Sequence, residues 1–404
     1  MKCTEFLCFL ICLVDAIGSR VEAKNVAVNY PGIQFSKDGK LSITVFSDLH
    51  FGEPEQAQGR RDADIKTIGV MNNVLDSEHP NMVVLNGDLV SCEWVAPENL
   101  NSLIDQIVAP LIERNLPIAA TFGNHDASKT CSTRLMSEYM WTIKGTNGKK
   151  LSFTTSSVPG EPDQVGTSNY FVPVYSSSDG SKLAMLLWFF DSRGGRIYQP
   201  SGIDIPVDDW VDDAVVAWFR QTNDQLREQV GHDIPSLAFV HIPVHATLSF
   251  QQNGGRTGTN EPGLNEEEVG NQGDVCDSNG DHCNYNGADT PFMKALIDIG
   301  VMAVFSGHDH GIDWCMKWSK NLANDPANGN GINLCFNRHS GYGGYTDWKR
   351  GARQIVIEED KLGKNELETW IRLEDGRISG HVTLNSTYGA DHYPSVDKSK
   401  TFVS

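Results

Sequence analysis

Five short apolar runs in this chain end in the same kinds of residue. Residues 41–47 run into Asp48-Leu49-His50, 82–85 into Asn86-Gly87-Asp88, and 118–122 into Gly123-Asn124-His125-Asp126. Residues 237–240 run into His241-Ile242-Pro243, and 301–305 into Gly307-His308-Asp309-His310. Short continuous apolar runs punctuated by Gly, Asn and Asp read as strands buried on both faces. Amphipathic stretches lie between them. Residues 62–78 place Ile65, Ile68, Met71 and Leu75 on one helical face, and 98–115 do the same with Leu100, Leu103, Ile104, Ile107 and Leu111. The stretch 290–299 carries its own stops: Asp289 or Thr290 to cap, Pro291 for the first turn and Gly300 for the left-handed exit. With a further strand at 183–190 and a closing hairpin from 354–357 and 369–373, the pattern is that of an α/β fold around a largely buried sheet.

In open α/β sheets, ligands bind at the carboxyl ends of the strands. An Asp there is ordinary turn chemistry, but four of these five ends also carry His. A D-x-H arises by accident about once in a chain of this make-up, so it says little alone. With 38 Gly and 12 His, G-H-x-H is expected only about 0.03 times, so it is informative. Carboxylate, amide oxygen and imidazole together suit Zn, Mn or Fe. Two ions about 3.5–4 Å apart share a bridging carboxylate. Asp48, His50, Asp88, Asn124, His241, His308 and His310 supply enough donors for such a pair. His232, His282, His339 and His392 lack this context and read as structural.

The formal charge of −19 disfavours nucleic-acid backbone and anionic membranes as partners. At the start of the chain, Lys2, the apolar run 6–14 and the small residues Ala16, Gly18 and Ala23 read as a cleaved signal segment over 1–23, too short to span a bilayer. Export to the secretory lumen or beyond follows. Six cysteines remain: Cys92, Cys131, Cys276, Cys283, Cys315 and Cys335. They form no C-x-x-C, and as disulfides their short spacings favour Cys276 with Cys283 and Cys315 with Cys335, leaving Cys92 with Cys131. Asn385-Ser386-Thr387 is a glycosylation sequon. Residues 142–170 and 251–289 lack periodicity and read as long functional loops. One domain over 30–385, followed by a tail at 386–404, is the economical division.

The ordered set D-x-H, G-D, G-N-H-D, H-x-P and G-H-x-H resembles the calcineurin-like metallophosphoesterase superfamily over residues 43–310. The stretches 307–315 and 338–353 (RHSGYGGYTDWKRGAR) look like its purple-acid-phosphatase-like branch of the cell-cycle-regulator phosphatase type. The resemblance implies a four-layer αββα sandwich of two mixed sheets, with two metal ions (Fe, Zn or Mn) at strand carboxyl ends. It implies that Asp48, His50 and His310 hold one ion, that Asn124, His241 and His308 hold the other, and that Asp88 bridges. It makes His125 the acid for the leaving oxygen, with Asp126 as its orienting partner. Ser91 stands where the purple enzymes carry a tyrosine, so neither the colour nor a requirement for Fe(III) is implied, and His50 fills the vacant position. Pro243 argues for an irregular loop, which leaves His245 as a substrate-side candidate. The implied activity is hydrolysis of a phosphoester, a monoester before a diester. A catalytically silent binding protein on the same scaffold is the rival reading.

Overall fold

The computed structural model describes residues 32–54, 62–199, 204–253, 258–276, 283–319, 321–345 and 348–396. The expected signal segment lies outside them. In chain order the strands are β1 (Ile33–Gln34), β2 (Lys40–Phe46), β3 (Met82–Asn86), β4 (Ile118–Thr121), β5 (Tyr170–Tyr175) and β6 (Leu183–Phe190). They continue as β7 (Ser236–Val240), β8 (Asp274–Cys276), β9 (Cys283–Tyr285), β10 (Ala303–Ser306) and β11 (Cys315–Trp318). Then come β12 (Ile332–Phe336), β13 (Gly351–Glu358), β14 (Leu367–Leu373) and β15 (Ile378–Leu384). The helices are α1 (Ala63–Glu78), α2 (Leu100–Glu113), α3 (Thr133–Trp141), α4 (Pro162–Val165), α5 (Asp213–Val230), α6 (Ala246–Gln252) and α7 (Thr290–Ile299).

Two sheets carry the architecture. One has the order β1-β5-β6-β7-β10-β12-β11 and the other β15-β14-β13-β2-β3-β4. Both are mixed. β2, β3 and β4 run parallel, as do β6, β7, β10 and β12, while β13, β14 and β15 are antiparallel. Strand periodicity sorts the apolar side chains. Met82, Val84 and Ala119 join Leu187, Phe189, Phe239 and Phe305 in the core between the sheets. Their neighbours Val83, Leu85, Ile118 and Ala120 point the other way, into a second core with Met71 and Val74 of α1, Ile104 and Ile107 of α2, and Met136 of α3. On the far face of the other sheet, Trp188 and Phe190 pack edge-on against Phe219 of α5, and Phe190 also against Phe292 of α7. Helix, sheet, sheet, helix is the four-layer sandwich. Each such ring withdrawn from water contributes about 1.5–3 kcal/mol, so the layers fix the strands whose ends build the site.

Some expectations shift. α5 was not anticipated, although Asp212 caps it by accepting from Ala214 N and Gly231 closes it in the left-handed region. The long segment 251–289 is not structureless: it contains the β8–β9 hairpin, whose register sets Cys276 opposite Cys283. The side chains of that pair lie outside the description. Cys92–Cys131 and Cys315–Cys335 are disulfides. The stretch assigned to a tail begins by packing: Tyr388 is buried and its hydroxyl donates to the Cys315 carbonyl. That hydroxyl satisfies a backbone carbonyl of β11, which lies at a sheet edge, and ties this stretch onto the fold.

Candidate metal centre

The loops leaving β2, β3, β4, β7 and β10 converge. Four of the seven candidate ligands stand in left-handed backbone: Asp48 (φ 57°), His50 (φ 51°), Asp88 (φ 50°) and His308 (φ 76°). Non-glycine residues adopt that region only under constraint, and such strain gathers at functional sites. Here the constraint is visible. Asp48 N donates to Gly87 O and His50 N to Asp88 O, which stitches the first two loops together. His308 N donates to Asp48 Oδ1 at 3.0 Å and binds the last loop to the first.

Two groups of donors result. Asp48, His50 and His310 offer ligand atoms that all lie within 4.8 Å of one another, and so do Asp88, His241 and His308. Asp88 stands between them, its Oδ2 3.0 Å from His241 Nε2 and 3.8 Å from His50 Nε2. The imidazoles are aimed by what holds their other nitrogens. Ser91 Oγ donates to Glu53 Oε1 at 2.8 Å, so it accepts from His50 Nδ1, also at 2.8 Å. His241 Nδ1 is held by the Asn86 carbonyl at 2.9 Å, and His310 Nδ1 faces the Tyr345 carbonyl at 3.0 Å. Each ring therefore turns Nε2 inward, and His50 Nε2 and His310 Nε2 lie 3.1 Å apart.

These residues fit a pair of cations. Among the described residues, Asn124 Oδ1 and His308 Nδ1 are buried with no hydrogen-bond partner, and His241 Nε2, equally buried, faces the Asp88 carboxylate. A buried polar atom left unpartnered costs about 1–3 kcal/mol, and Asn124, His241 and His308 belong to the set assigned to one ion. The charge balance agrees. Burial opposes a charged His241, yet the Asp88 and Asp48 carboxylates outweigh it and raise its pKa to about 10. Burial and the neighbouring His241 push His308 down to about 3. Burial raises Asp48, while His241 and His125 hold Asp88 well below the usual carboxylate range. A nest of carboxylates and lone pairs in a water-poor space is what a multivalent cation neutralises.

His125 stands at the mouth, its side chain 42% exposed. Its partner is not Asp126. Asp126 Oδ1 accepts from the Leu89 and Val90 amides at 2.9 Å, and Oδ2 accepts from Gly123 N at 2.9 Å, so this carboxylate locks two loops together. The acid on the His125 ring is Glu93, with Oε1 2.7 Å from Nδ1. Sequence reasoning missed Glu93. The available signal was the Cys92–Cys131 bridge, which draws the residue after Cys92 toward the loop holding His125. His245 also departs from expectation. It begins α6, is buried, and stacks on Tyr285 at 3.6 Å, with Nδ1 3.3 Å from Ser249 Oγ and 3.4 Å from Asp325 Oδ2. Those contacts give it a packing role. Ser91, at the position of the missing tyrosine, serves as the support of His50. His339, read from sequence as structural, lies buried against the centre, its ring 3.9 Å from that of His310.

The family described as calcineurin-like phosphoesterase matches residues 41–311. The chain is 26% identical over 378 residues to "Probable inactive purple acid phosphatase 29" of Arabidopsis thaliana, covering 86% of each. It is 27% identical to "Phosphatase DCR2" of Saccharomyces cerevisiae over 84% of this chain and 55% of that one. Among solved structures it is similar to a dimetal phosphatase from Danio rerio (10% identity, TM-score 0.47, 85% of this chain and 98% of that one).

Proposed function

The chain belongs to the calcineurin-like phosphoesterase family, and we propose that it is an active, exported phosphatase that hydrolyses phosphomonoesters. The observation that carries the reading is the convergence of two buried donor atoms without a partner among the described residues, Asn124 Oδ1 and His308 Nδ1, on His241 Nε2 and Asp88, with the paired His125 and Glu93 at the opening. Asp48, His50 and His310 would hold the first ion, and Asn124, His241 and His308 the second, with Asp88 common to both. When bound, two such ions neutralise phosphoryl charge and make water a nucleophile near neutral pH.

The remaining steps belong to the protein. The Asp88 Oδ1 bond from His125 N, at 2.8 Å, fixes the acid's backbone to the carboxylate shared by the ions. Glu93 holds the Nδ1 proton, which leaves Nε2–H of His125 free for the departing alkoxide. Proton transfer there avoids expelling a strongly basic oxygen. Glu53 and Ser91 keep His50 turned inward through the cycle.

Two disulfides support an oxidising compartment. Asn385 Oδ1 accepts from both the amide and the hydroxyl of Thr387, an Asx turn at the sequon. A mobility shift abolished by Asn385→Gln would confirm passage through a glycosylating lumen.

The relatives named "Probable inactive" favour a second reading, a silent binding protein. Purified protein of known metal content, assayed on p-nitrophenyl phosphate and bis-p-nitrophenyl phosphate, separates the readings. Turnover of the monoester is expected. Cleavage of the diester alone would make it a phosphodiesterase, and two bound ions without turnover would make it the binding protein.

A further inference from the structure

The segment 338–345 touches the first ion's ligands at every turn. Gly344 N donates to Glu53 Oε2 at 2.9 Å, the same carboxylate that supports Ser91 and His50. Tyr345 meets His310 through its carbonyl (3.0 Å), its hydroxyl, which accepts from His310 N at 3.1 Å, and its ring, stacked at 4.0 Å and 13°. His339 lies on His310 as well, with ring centroids 3.9 Å apart and planes at 32°. Two rings cannot share one face of an imidazole at those distances, so Tyr345 and His339 take opposite faces. Both nitrogens of His339 are buried without a hydrogen-bond partner among the described residues. What His339 contributes is therefore its face. Among the described residues nothing comparable flanks the ligands of the second ion: the His241 ring meets His308 edge-on at 5.5 Å, and Nδ1 of His241 rests on a backbone carbonyl.

We propose that His339 and Tyr345 are positioning residues that clamp His310 between them and give the first ion site a higher affinity than the second. The inference rests on the two-ion reading above. An imidazole donating to a cation becomes electron-poor, and flanking π faces favour that state. Held from both sides, the ring also loses little freedom when the ion binds, so less of the binding energy is spent on ordering it.

The test is Co(II) binding to metal-free protein, read by the visible spectrum and by equilibrium competition with a chelator. Wild-type protein is expected to bind two ions in separable steps. His339→Ala and Tyr345→Ala should each weaken the tighter step by ~10–100-fold and leave the weaker one in place. Tyr345→Phe, which keeps the ring, and His339→Phe, which keeps a face, should recover most of the loss. Circular dichroism identifies any variant that fails to fold, and Tyr345, 53% exposed, is the safer of the two to truncate. If both alanine variants bind both ions as wild type does, the clamp is refuted while the two-ion centre stands. If wild type binds no pair of ions, the functional reading itself fails.

Discussion

Glu93 Oε1 lies 2.7 Å from Nδ1 of His125. The two residues come from loops that leave different strands. The loops are joined at Cys92–Cys131, by the bond from Cys92 N to His125 O, and by that from Thr130 Oγ1 to Cys92 O. A pair so fixed sets which nitrogen of His125 faces the opening. Glu93→Gln should keep both ions and lower turnover of p-nitrophenyl phosphate by ~10–100-fold, with Glu93→Asp intermediate. Elemental analysis beside kcat checks this, and an unchanged kcat would remove Glu93 from the mechanism.

The same pair has a pH signature in metal-free protein. Burial would lower His125, but the Asp88 and Glu93 carboxylates outweigh it and raise its pKa to about 9. A folded value above the unfolded one, about 6.5, means that the stabilisation is fully present below about pH 6.5. It is lost as pH rises through about 9. NMR of the imidazole nitrogens should show this titration, and Glu93→Gln should bring it lower. Loading the ions should lower it too, since cations oppose a second positive charge nearby.

The metal ligands and the acid should separate by mutation. Asp88→Ala and Asn124→Ala remove donors and should lose metal and activity together. His125→Ala removes no donor and should retain both ions while turnover falls by ~10²–10⁴-fold. Equal metal loss in all three variants would mean that His125 is structural.

What the sequence made legible follows from locality. A strand and the residues that leave it are contiguous, so the apolar runs and the motifs at their ends point to Asp48, His50, Asp88, Asn124, His241, His308 and His310 as candidates without any knowledge of packing. Glu93, Glu53 and Tyr345 act on residues reached through loop conformation, and composition does not encode that. Asp126 shows the reverse error. Its adjacency to His125 suggested a pair, but the short 3₁₀ turn over Asn124–Asp126 sends its carboxylate to three backbone amides instead. His339 lies in the stretch 338–353 that carries the resemblance, but nothing in that string puts it on His310, and it gains that place only when β12 lies beside β10. α5 has a cap and a stop, yet its polar residues (Arg220, Gln221, Asn223 and Asp224) obscured the buried stripe of Val215, Val216, Phe219 and Leu226.

Asp126 yields a stability prediction of its own. Burial and the Asp88 charge raise its carboxyl to about 7 in metal-free protein, although three amides favour the ionised form. Replacing it with Ala leaves the Leu89, Val90 and Gly123 amides without an acceptor, at about 1–3 kcal/mol for each donor left buried. Asp126→Ala should therefore lower the denaturation midpoint and loosen Asp88, which follows Gly87 on the same loop. Asp126→Asn keeps an acceptor oxygen and should fall between. Urea unfolding of the metal-free variants checks this, and an unfolding free energy within about 0.5 kcal/mol of wild type, the usual scatter for a surface change, would refute it.

Gly123 separates steric from conformational demand. Its backbone is extended (φ −111°), so a side chain costs nothing in dihedral strain. A Cβ there would lie 2.3 Å from Asp88 Oδ1 and 2.6 Å from His241 Nε2, and real contacts do not come so close. Both neighbours are buried side chains held by other bonds: Asp88 Oδ1 by His125 N and His241 Nδ1 by Asn86 O. Neither has a flexible end that swings clear, so the methyl group must displace the shared carboxylate, the second ion's imidazole, or both. Gly123→Ala should fold, since the two apolar cores are untouched, yet bind fewer than two ions and lose phosphatase activity. Co(II) titration alongside circular dichroism measures both halves. A variant that folds and still takes up two ions with wild-type affinity would show that Asp88 and His241 do not meet at a common metal.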